Sequence, residues 1–468
     1  MKKQFTRRRF LATAGAAASA AILRPSLFGG GHALAAPVVR RDIGGLTASD
    51  PIITSYRTAI AAMRALPNSN PRSWTYQAAI HGTTLPGPPL TAWNSCQHGN
   101  YFFWSWHRMY LYYFERIIRQ MSGNPNWTLP YWNWSSSTQR HLPPMFRDTS
   151  SELYTSHRYS SINDGTGSLP DFDVDYSSAF LQTNFTTASS NAFLQGSPHG
   201  AVHVDIGGWM HDVPTAGQDP IFYLHHCNID RLWNLWLAQG GGRADPLSDN
   251  PWKNNLFTFF DENGHQVQMK GCDVLRAADQ LNYTYEGEPA QVKEYCLRIL
   301  KPWWIWAVVV LIRWPIPEFI LREEAITIDL DVKQYRQRIA TIAESKDQTL
   351  LFEMDVEADR QPGVVWEVYV GAPRDKLDRN VKNPYYVGNV VLFGSGIRNQ
   401  SHDKFQPAHF SFPLNRAMQA ALRANQDKVP VTFMAHGPLI NGKLSTPKVE
   451  SPVRIRNLTL SVETQKRQ

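Results

Sequence analysis

Histidine is the residue type whose spacing in this sequence points most directly to chemistry. Two clusters together supply two sets of three imidazoles: His81, His98 and His107 in one, and His199, His203 and either His225 or His226 in the other. His199 and His203 are four residues apart, so a helix would place them on one face. A single histidine in such an aromatic setting is usually a packing or surface residue. Two sets of three predict a metal centre.

The ligand types restrict which metal such a centre would hold. No carboxylates or paired cysteines occur at ligand spacing, which argues against calcium, magnesium and a cysteine-rich zinc site. Imidazole ligands suit copper or zinc. A single zinc site with three histidines would leave the second set unused, so two sets favour a dinuclear copper centre.

The adjacent pair His225 and His226 in "DPIFYLHHCNIDRLW" poses a choice, because neighbouring helical residues point about 100° apart. His226 shares its face with Phe222 and Asp230, and spacing alone allows either face to be buried. The carboxylate of Asp230, four residues after His226, would lie where it orients that ring or neighbouring donors. This favours His226 as the ligand and leaves His225 as a supporting or packing residue.

The elements that must position these residues differ between the two halves of the chain. Residues 36–290 contain long aromatic segments with helical spacing, "YFFWSWHRMYLYYFERIIRQM" and "DPIFYLHHCNIDRLWNLWLAQ", between loops rich in Pro, Ser and Asn. After about residue 346 the apolar period becomes two, in segments such as "LLFEMDVEA", "VVWEVYVGA" and "VPVTFMAHG". The sequence thus predicts a helical domain at 36–290 and an antiparallel β-sandwich or barrel of around six or seven strands at 347–468, with one helical insert at 415–426.

Residues 291–346 are expected to form a linker between these domains. Their uninterrupted apolar core, 303–312, is ten residues, about half of a membrane span. We expect a buried strand or linker segment there, with a membrane-surface or self-docking role as the alternative.

With these motifs in view, residues 40–290 resemble the type-3 copper proteins: tyrosinases, catechol (polyphenol) oxidases and, more distantly, haemocyanins. "HGNYFFWSWHRMYLYYFERI" is similar to the first copper signature of that family, and "PHGAVH" followed by "DPIFYLHHCNIDRLW" to the second. The resemblance implies a mainly α four-helix-bundle copper core, followed by the all-β C-terminal domain. It implies that one copper ion is held by His81, His98 and His107 and the other by His199, His203 and His226, with Phe222 packed beside them.

The same resemblance implies the reaction. Members of the family use O₂ to oxidise o-diphenols to o-quinones, and true tyrosinases first hydroxylate monophenols at the ortho position. A Cys-x-His motif such as Cys96 and His98 forms a thioether in some members, which predicts that crosslink here. Where many members have a glutamate that holds a water, this chain has Gln195, and Gly200 stands where asparagine accompanies strong monophenol hydroxylation. Both departures favour oxidation of o-diphenols or o-aminophenols over hydroxylation of monophenols.

The C-terminal domain also has a parallel in the family. In plant and some bacterial and fungal members a β-rich domain covers the copper site until it is cleaved or displaced, and "VVWEVYVGAP" is similar to part of the plant version. We therefore expect latency, with a bulky side chain from 347–468 filling the pocket. The alternative is a domain that only stabilises the chain.

Composition indicates where the protein acts and which partners it lacks. Six of the 47 Lys and Arg residues lie in the first 35 residues, which hold no acid, so the remainder has 41 basic against 40 acidic residues and no basic footprint for nucleic acid. "TRRRFLATAGAAASAAIL" followed by "ALAA" predicts a twin-arginine signal at 1–35, and hence a periplasmic or secreted protein with no transmembrane segment in its mature chain. The partners expected are O₂ and phenolic small molecules, with a copper chaperone as a further candidate.

Two other functions fit parts of this pattern. A haemocyanin-like O₂ carrier would use the same copper ligands, but a bacterial export signal argues against it. A zinc site with a structural or hydrolytic role would use imidazoles too. Four cysteines are too few for a disulfide scaffold, although Cys272 and Cys296 are able to pair in an oxidising compartment.

Overall fold

The computed structural model describes residues 37–467 except 192, 289–303, 316, 374–376, 399–404 and 424–426. The signal predicted at 1–35 and the cysteine at position 296 lie outside the described residues. From Pro37 onward the chain forms one compact unit, in which a helical part is followed by a β-rich part.

The helical part has eleven helices among its described residues and five short strands. The helices are α1 (Pro51–Arg64), α2 (Trp74–His81), α3 (Phe103–Ser122), α4 (Ser160–Asp164), α5 (Ser177–Leu181), α6 (Phe185–Ala188), α7 (Ala201–Ile206), α8 (Val213–Ala216), α9 (Ile221–Ala238), α10 (Asn250–Asn254) and α11 (Ala277–Gln280). The strands are β1 (Val38–Arg40), β2 (Gly167–Ser168), β3 (Phe257–Phe260), β4 (Gln266–Met269) and β5 (Tyr283–Tyr285). None of the helices in the described residues is long and apolar enough to cross a membrane.

The two longest helices are the aromatic segments that the sequence predicts. Helix α3 ends where Gly123 adopts a left-handed conformation with φ of 69°, and α9 is followed by Gly240 with φ of 60°, so glycine closes both helices at little steric cost. Between them the rings of Phe114 on α3 and Tyr223 on α9 stack with their centroids 3.5 Å apart. The expected helical core is confirmed, and its packing is dominated by aromatic side chains.

The β-rich part confirms the expected all-β class. Its strands are β6 (Trp304–Arg313), β7 (Phe319–Leu321), β8 (Ile326–Asp331), β9 (Gln348–Ala358), β10 (Val365–Val370), β11 (Tyr386–Val390), β12 (Ala408–Pro413), β13 (Lys428–His436), β14 (Leu439–Ile440), β15 (Lys443–Leu444) and β16 (Val453–Arg467). Helices α12 (Arg336–Ala343) and α13 (Asn415–Arg423) interrupt them. One sheet has the order β11-β10-β13-β8, and the other has β12-β9-β16-β6 with β7 also paired to β16.

The expected linker at 291–346 needs correction where it is described. Strands β6, β7 and β8 and helix α12 fall in this range, and β6 and β8 are members of the two large sheets. The continuous apolar run at 303–312 forms a strand because β16 supplies its backbone partners over nine paired residues. We propose that the β-rich domain begins near residue 304 rather than 347.

The two parts meet at helix α7. One apolar cluster joins Ala201 and Val204 of α7 to Val365 and Val391 of the β-rich part, and all four are buried. The side-chain amide of Asn389 adds hydrogen bonds to the Phe172 carbonyl at 3.1 Å and to an Asp173 oxygen at 2.9 Å. The β-rich part thereby covers the helix that carries His203.

Candidate metal centre

Four helices and two connecting segments carry the histidines singled out by the sequence. His81 is the last residue of α2, His107 lies on α3, His203 on α7, and His225 and His226 on α9. His98 precedes α3 in the segment that follows α2, and His199 lies in the turn that precedes α7. The fold brings all of them together.

The rings of the first set lie close to one another. Ring centroids are 5.2 Å apart for His81 and His98, 5.2 Å for His98 and His107, and 5.8 Å for His81 and His107. The Nδ1 atom of His81 donates to the Val213 carbonyl at 3.0 Å, and that of His107 donates to the Phe103 carbonyl at 2.8 Å. Since a neutral imidazole carries one proton, these bonds leave Nε2 with a free lone pair.

The second set has the same construction. Ring centroids lie 4.8 Å apart for His199 and His203, 5.0 Å for His199 and His226, and 5.4 Å for His203 and His226. His199 donates through Nδ1 to the Gln195 carbonyl at 2.9 Å, and His203 donates to the Met210 carbonyl at 2.7 Å. Backbone carbonyls thus fix the tautomer of these two rings, as is usual for metal-ligating histidines.

The two sets are adjacent. The rings of His107 and His226 stack at 4.4 Å, and those of His98 and His199 at 5.5 Å. Among the described residues, candidate ligand atoms within 4.8 Å of one another form three groups: His81 with His107 and His226; His199 with His203, His225 and His226; and His81 with Cys96 and His98. These groups do not coincide with the two sets, because His226 lies with His81 and His107 as well as with His199 and His203. The histidines form one continuous cluster with more imidazoles than a single tetrahedral ion binds.

Burial keeps these imidazoles neutral. Loss of solvation lowers the pKa of His81 and of His199 to about 3. It also holds the pKa values of the other four well below the usual range, with further lowering by the neighbouring histidines: His98, His107, His203 and His226. Neutral imidazole is the form that binds a metal.

The nitrogen atoms that face the centre fit a bound cation. Nε2 is buried without a hydrogen-bond partner in His81, His98, His107 and His199. The Nε2 atoms of His203 and His226 lie 3.2 Å apart, and since the proton of His203 is on Nδ1, its Nε2 directs a lone pair at its neighbour. When two imidazoles bind the same metal ion at roughly 2.0–2.1 Å, their nitrogen atoms are about this far apart. Bound metal ions would satisfy the four Nε2 atoms that have no protein partner.

His225 is distinguished from His226 by its hydrogen bond. The indole N–H of Trp134 donates to Nδ1 of His225 at 3.1 Å. Burial lowers the pKa of His225, so its ring is neutral and its single proton must be on Nε2. His225 therefore presents no lone pair to the centre, although its ring is 4.8 Å from that of His203. Nothing in the local sequence pattern singles out Trp134.

Of the two roles expected for Asp230, the structure shows contact with neighbouring donors, and Nδ1 of His226 has no hydrogen-bond partner. The Asp230 carboxylate accepts from Arg108 Nε at 2.5 Å, Arg40 Nη1 at 3.3 Å, and the hydroxyls of Tyr283 and Tyr285 at 2.6 and 2.5 Å. In a dry interior a carboxylate is stabilised most by nearby guanidinium groups. Asp230 ties α9 to α3, β1 and β5.

The remaining residues predicted near the site occupy different positions. Phe222 packs as expected, with its ring 4.3 Å from that of His226 and 4.7 Å from that of His81. Gln195 is buried, and its amide oxygen accepts from the Gly99 N–H at 2.7 Å while its amide nitrogen donates to the carbonyls of Asn100, at 3.1 Å, and Ser189. Gln195 thus ties the segment that carries His98 to the turn that carries His199.

The β-rich part places a phenylalanine over the histidines. The ring of Phe393, which follows β11, stacks on His203 with a centroid distance of 3.9 Å and meets His98 and His199 edge-on at 5.5 and 5.4 Å. A Cβ at Gly200 would lie 3.3 Å from Cβ of Phe393 and 3.2 Å from a methyl of Val391. No sequence signal identified Phe393, because its approach depends on how the β-rich part docks.

The cysteines differ in environment. Sγ of Cys96 lies 3.3 Å from Nδ1 of His98, and both Cys96 and the buried Cys227 are free thiols in the structure. Cys272 is disulfide-bonded. The pairing of Cys272 with position 296 stays a prediction, since that position lies outside the described residues.

Two family models match the chain, one over the histidines and one directly after them. The common central domain of tyrosinase matches residues 71–185 and 152–239, and the polyphenol oxidase middle domain matches residues 246–295. The first match spans all six predicted ligands.

The chain is also similar to individual polyphenol oxidases and tyrosinases. The chain is 33% identical over 280 residues to a latent chloroplastic polyphenol oxidase of Prunus armeniaca, covering 51% of this chain and 47% of that one. It is 35% identical over 288 residues to a tyrosinase of a Hahella strain, covering 50% of this chain and 61% of that one. The chain thus spans about half of the length of these relatives. Its fold is similar to that of latent apple tyrosinase, with a TM-score of 0.62 at 23% identity over 92% of this chain and 97% of that one.

Proposed function

The chain belongs to the tyrosinase and polyphenol oxidase family of type-3 copper proteins, and from that premise we propose that it is a dinuclear copper oxidase that uses O₂ to convert o-diphenols to o-quinones. The observation that carries the proposal is the pair of adjacent imidazole sets. Their rings are buried and neutral, and Nε2 has no protein partner in four of them: His81, His98, His107 and His199.

We propose the ligand sets that the family signatures imply. One copper ion would be held by Nε2 of His81, His98 and His107, and the other by Nε2 of His199, His203 and His226. When bound, the two ions supply the capacity to bind and reduce O₂. The protein supplies rings fixed by backbone carbonyls and a dry, aromatic pocket around them.

The preference for o-diphenols is supported by the surroundings of Gln195. A water-held base would help to remove the proton of an incoming monophenol, and an amide is a poor substitute for a carboxylate in that role. Both donor hydrogens of the Gln195 amide are engaged by the carbonyls of Asn100 and Ser189, so the side chain is committed to the fold. An o-diphenol or o-aminophenol is oxidised without a preceding hydroxylation, and a monophenol is not. Hydroxylation of monophenols is therefore expected to be slower.

Latency is supported by the position of Phe393. Its ring occupies the space against His203, His98 and His199 that an aromatic substrate would need to approach the centre. With the β-rich part docked, we propose that the centre is closed to phenols. Cleavage or displacement of residues from about 304 onward would open it.

A thioether between Cys96 and His98 is a further part of the proposal. The sulfur is already beside the ring, at 3.3 Å from Nδ1. Forming the bond removes one hydrogen from each partner, and copper with O₂ would serve as the oxidant. Mass spectrometry of the tryptic peptide would show a loss of two hydrogens in the copper-loaded protein, whereas an unchanged mass would exclude the crosslink.

Export by the twin-arginine route remains a proposal supported by the sequence of residues 1–35, and a copper chaperone remains a possible partner. That route carries folded proteins, which suits a protein loaded with copper before export.

Two measurements test the function. Copper analysis of the purified chain should find two ions per protein, and zinc in their place would favour the structural or hydrolytic alternative. After proteolysis, turnover of a simple catechol should exceed that of the matching monophenol, which should show a lag. A protein that binds O₂ with two coppers but does not turn over catechol, even after cleavage, would be the O₂ carrier; the relatives named as oxidases do not favour that outcome.

A further inference from the structure

Strand β6 forms an outer edge of the five-stranded sheet. It pairs with β16 from Trp304 to Arg313, and among the described residues no strand pairs with its other side. β7 continues the same edge, because it also pairs with β16, at Val453–Ile455. The backbone groups on the outer side of β6 therefore have no strand partner within the described part of the chain.

The edge is apolar as well as open. Val308, Val309 and Val310 are 53%, 56% and 50% exposed, and Ile320 on β7 is 40% exposed. Because successive side chains of a strand point to opposite faces, three exposed valines in a row mean that both faces of β6 are uncovered there. No charged residue or proline occurs from 303 to 312. Edge strands that stay unpaired usually carry such residues.

We propose that β6 pairs with β6 of a second copy of this chain, so that the two sheets join into one across a two-fold axis. A peptide strand satisfies the open N–H and C=O groups of β6, whereas a lipid surface offers them no regular partners. Pairing of two identical edges about a two-fold axis also closes on itself and gives a dimer rather than a filament.

The charges that flank the strand favour the antiparallel arrangement. With the axis between Val309 and its copy, Val309 lies opposite itself and Arg313 lies opposite Ile305, so that no cation faces another. Parallel pairing in register would place Arg313 against Arg313, which is unfavourable. Pairing of one strand is at the low end of interface size, so we expect dissociation in the micromolar range.

Sedimentation velocity of the full, copper-loaded chain over roughly 1–100 µM tests the proposal. The wild type should shift from monomer to dimer, and V309K should raise the dissociation constant at least tenfold, because it places two ammonium groups directly opposite each other across the two-fold axis. L256K is the matched control, since Leu256 is 54% exposed and lies outside this sheet. It should dimerise like the wild type.

Unfolding by urea shows whether each variant retains its fold, and V309E replaces V309K if the lysine variant unfolds. Two carboxylates directly opposite each other should weaken the dimer in the same direction. A wild type that remains monomeric throughout, or a V309K variant that dimerises as tightly as the wild type, overturns the proposal. So does a monomeric wild type that sediments with phosphatidylcholine–phosphatidylglycerol vesicles while V309K does not, which would make the strand a membrane-surface element.

Discussion

Replacing Phe393 by alanine tests whether this side chain blocks the metal centre or whether the β-rich part only stabilises the chain. Phe393 is only 3% exposed, and its ring contacts three of the proposed copper ligands: His203, His98 and His199. For an aromatic substrate to reach the centre, this ring must leave. Its removal by mutation should therefore raise the activity of the intact, uncleaved chain.

The size of the effect follows from the contacts that are lost. Truncating a buried phenylalanine to alanine typically costs about 3–5 kcal/mol, and stacked or edge-on aromatic pairs contribute about 0.5–1.5 kcal/mol each. If about 3 kcal/mol of this opposes opening, the open population rises about 100-fold in F393A, because each 1.4 kcal/mol is about a factor of ten. The activity of the cleaved chain should stay unchanged, since cleavage already removes the ring.

The assay is the initial rate of catechol oxidation by the intact and the protease-cleaved chain, each loaded with copper. F433A is the matched control, because Phe433 is fully buried in strand β13 and should lose stability without gaining activity. If intact F393A is as inactive as the intact wild type while cleavage activates both, Phe393 is not the plug. If the intact wild type is already as active as the cleaved form, latency itself is refuted.

Three other predictions concern the centre and the fold around it. H226A should lose one copper ion and H225A should keep both, as measured by metal analysis; the reverse result would shift the ligand by one residue. D230N should lower the free energy of unfolding by about 3–5 kcal/mol, since it leaves two buried guanidinium groups under-compensated, whereas copper loss at unchanged stability would restore a role for Asp230 beside His226. Hydrogen bonds to two carboxylates on β9 raise the pKa of His409 to about 9. Its charge therefore stabilises the fold fully below pH about 6.5, and this stabilisation is lost as the pH rises through about 9. Because the side chain is 58% exposed, solvent screens its charge. The change in the free energy of unfolding between pH about 6.5 and pH about 9, measured with urea, should therefore be smaller in H409Q than in the wild type, by less than about 1 kcal/mol.

Much of the fold could be predicted because its signals are local. The spacing of aromatic residues at 101–121 and 219–239 predicts α3 and α9, and alternation predicts six of the eight strands from β9 to β16. The apolar run at 303–312 was harder to interpret, because a continuous run has no period that separates a strand from a linker. Only its pairing with β16 shows that it is a strand.

By itself, the sequence determined the ligand types, their spacing and the helices that carry them, since a helix fixes which neighbours share a face. The tertiary structure decided everything that depends on distances between elements. It placed Trp134 against Nδ1 of His225, turned Asp230 toward Arg108 and Arg40, and brought Phe393 onto the ring of His203. These contacts join residues far apart in the chain. Their partners are chosen by packing and by the cost of leaving buried charges and hydrogen-bonding groups unpaired, which no local spacing encodes.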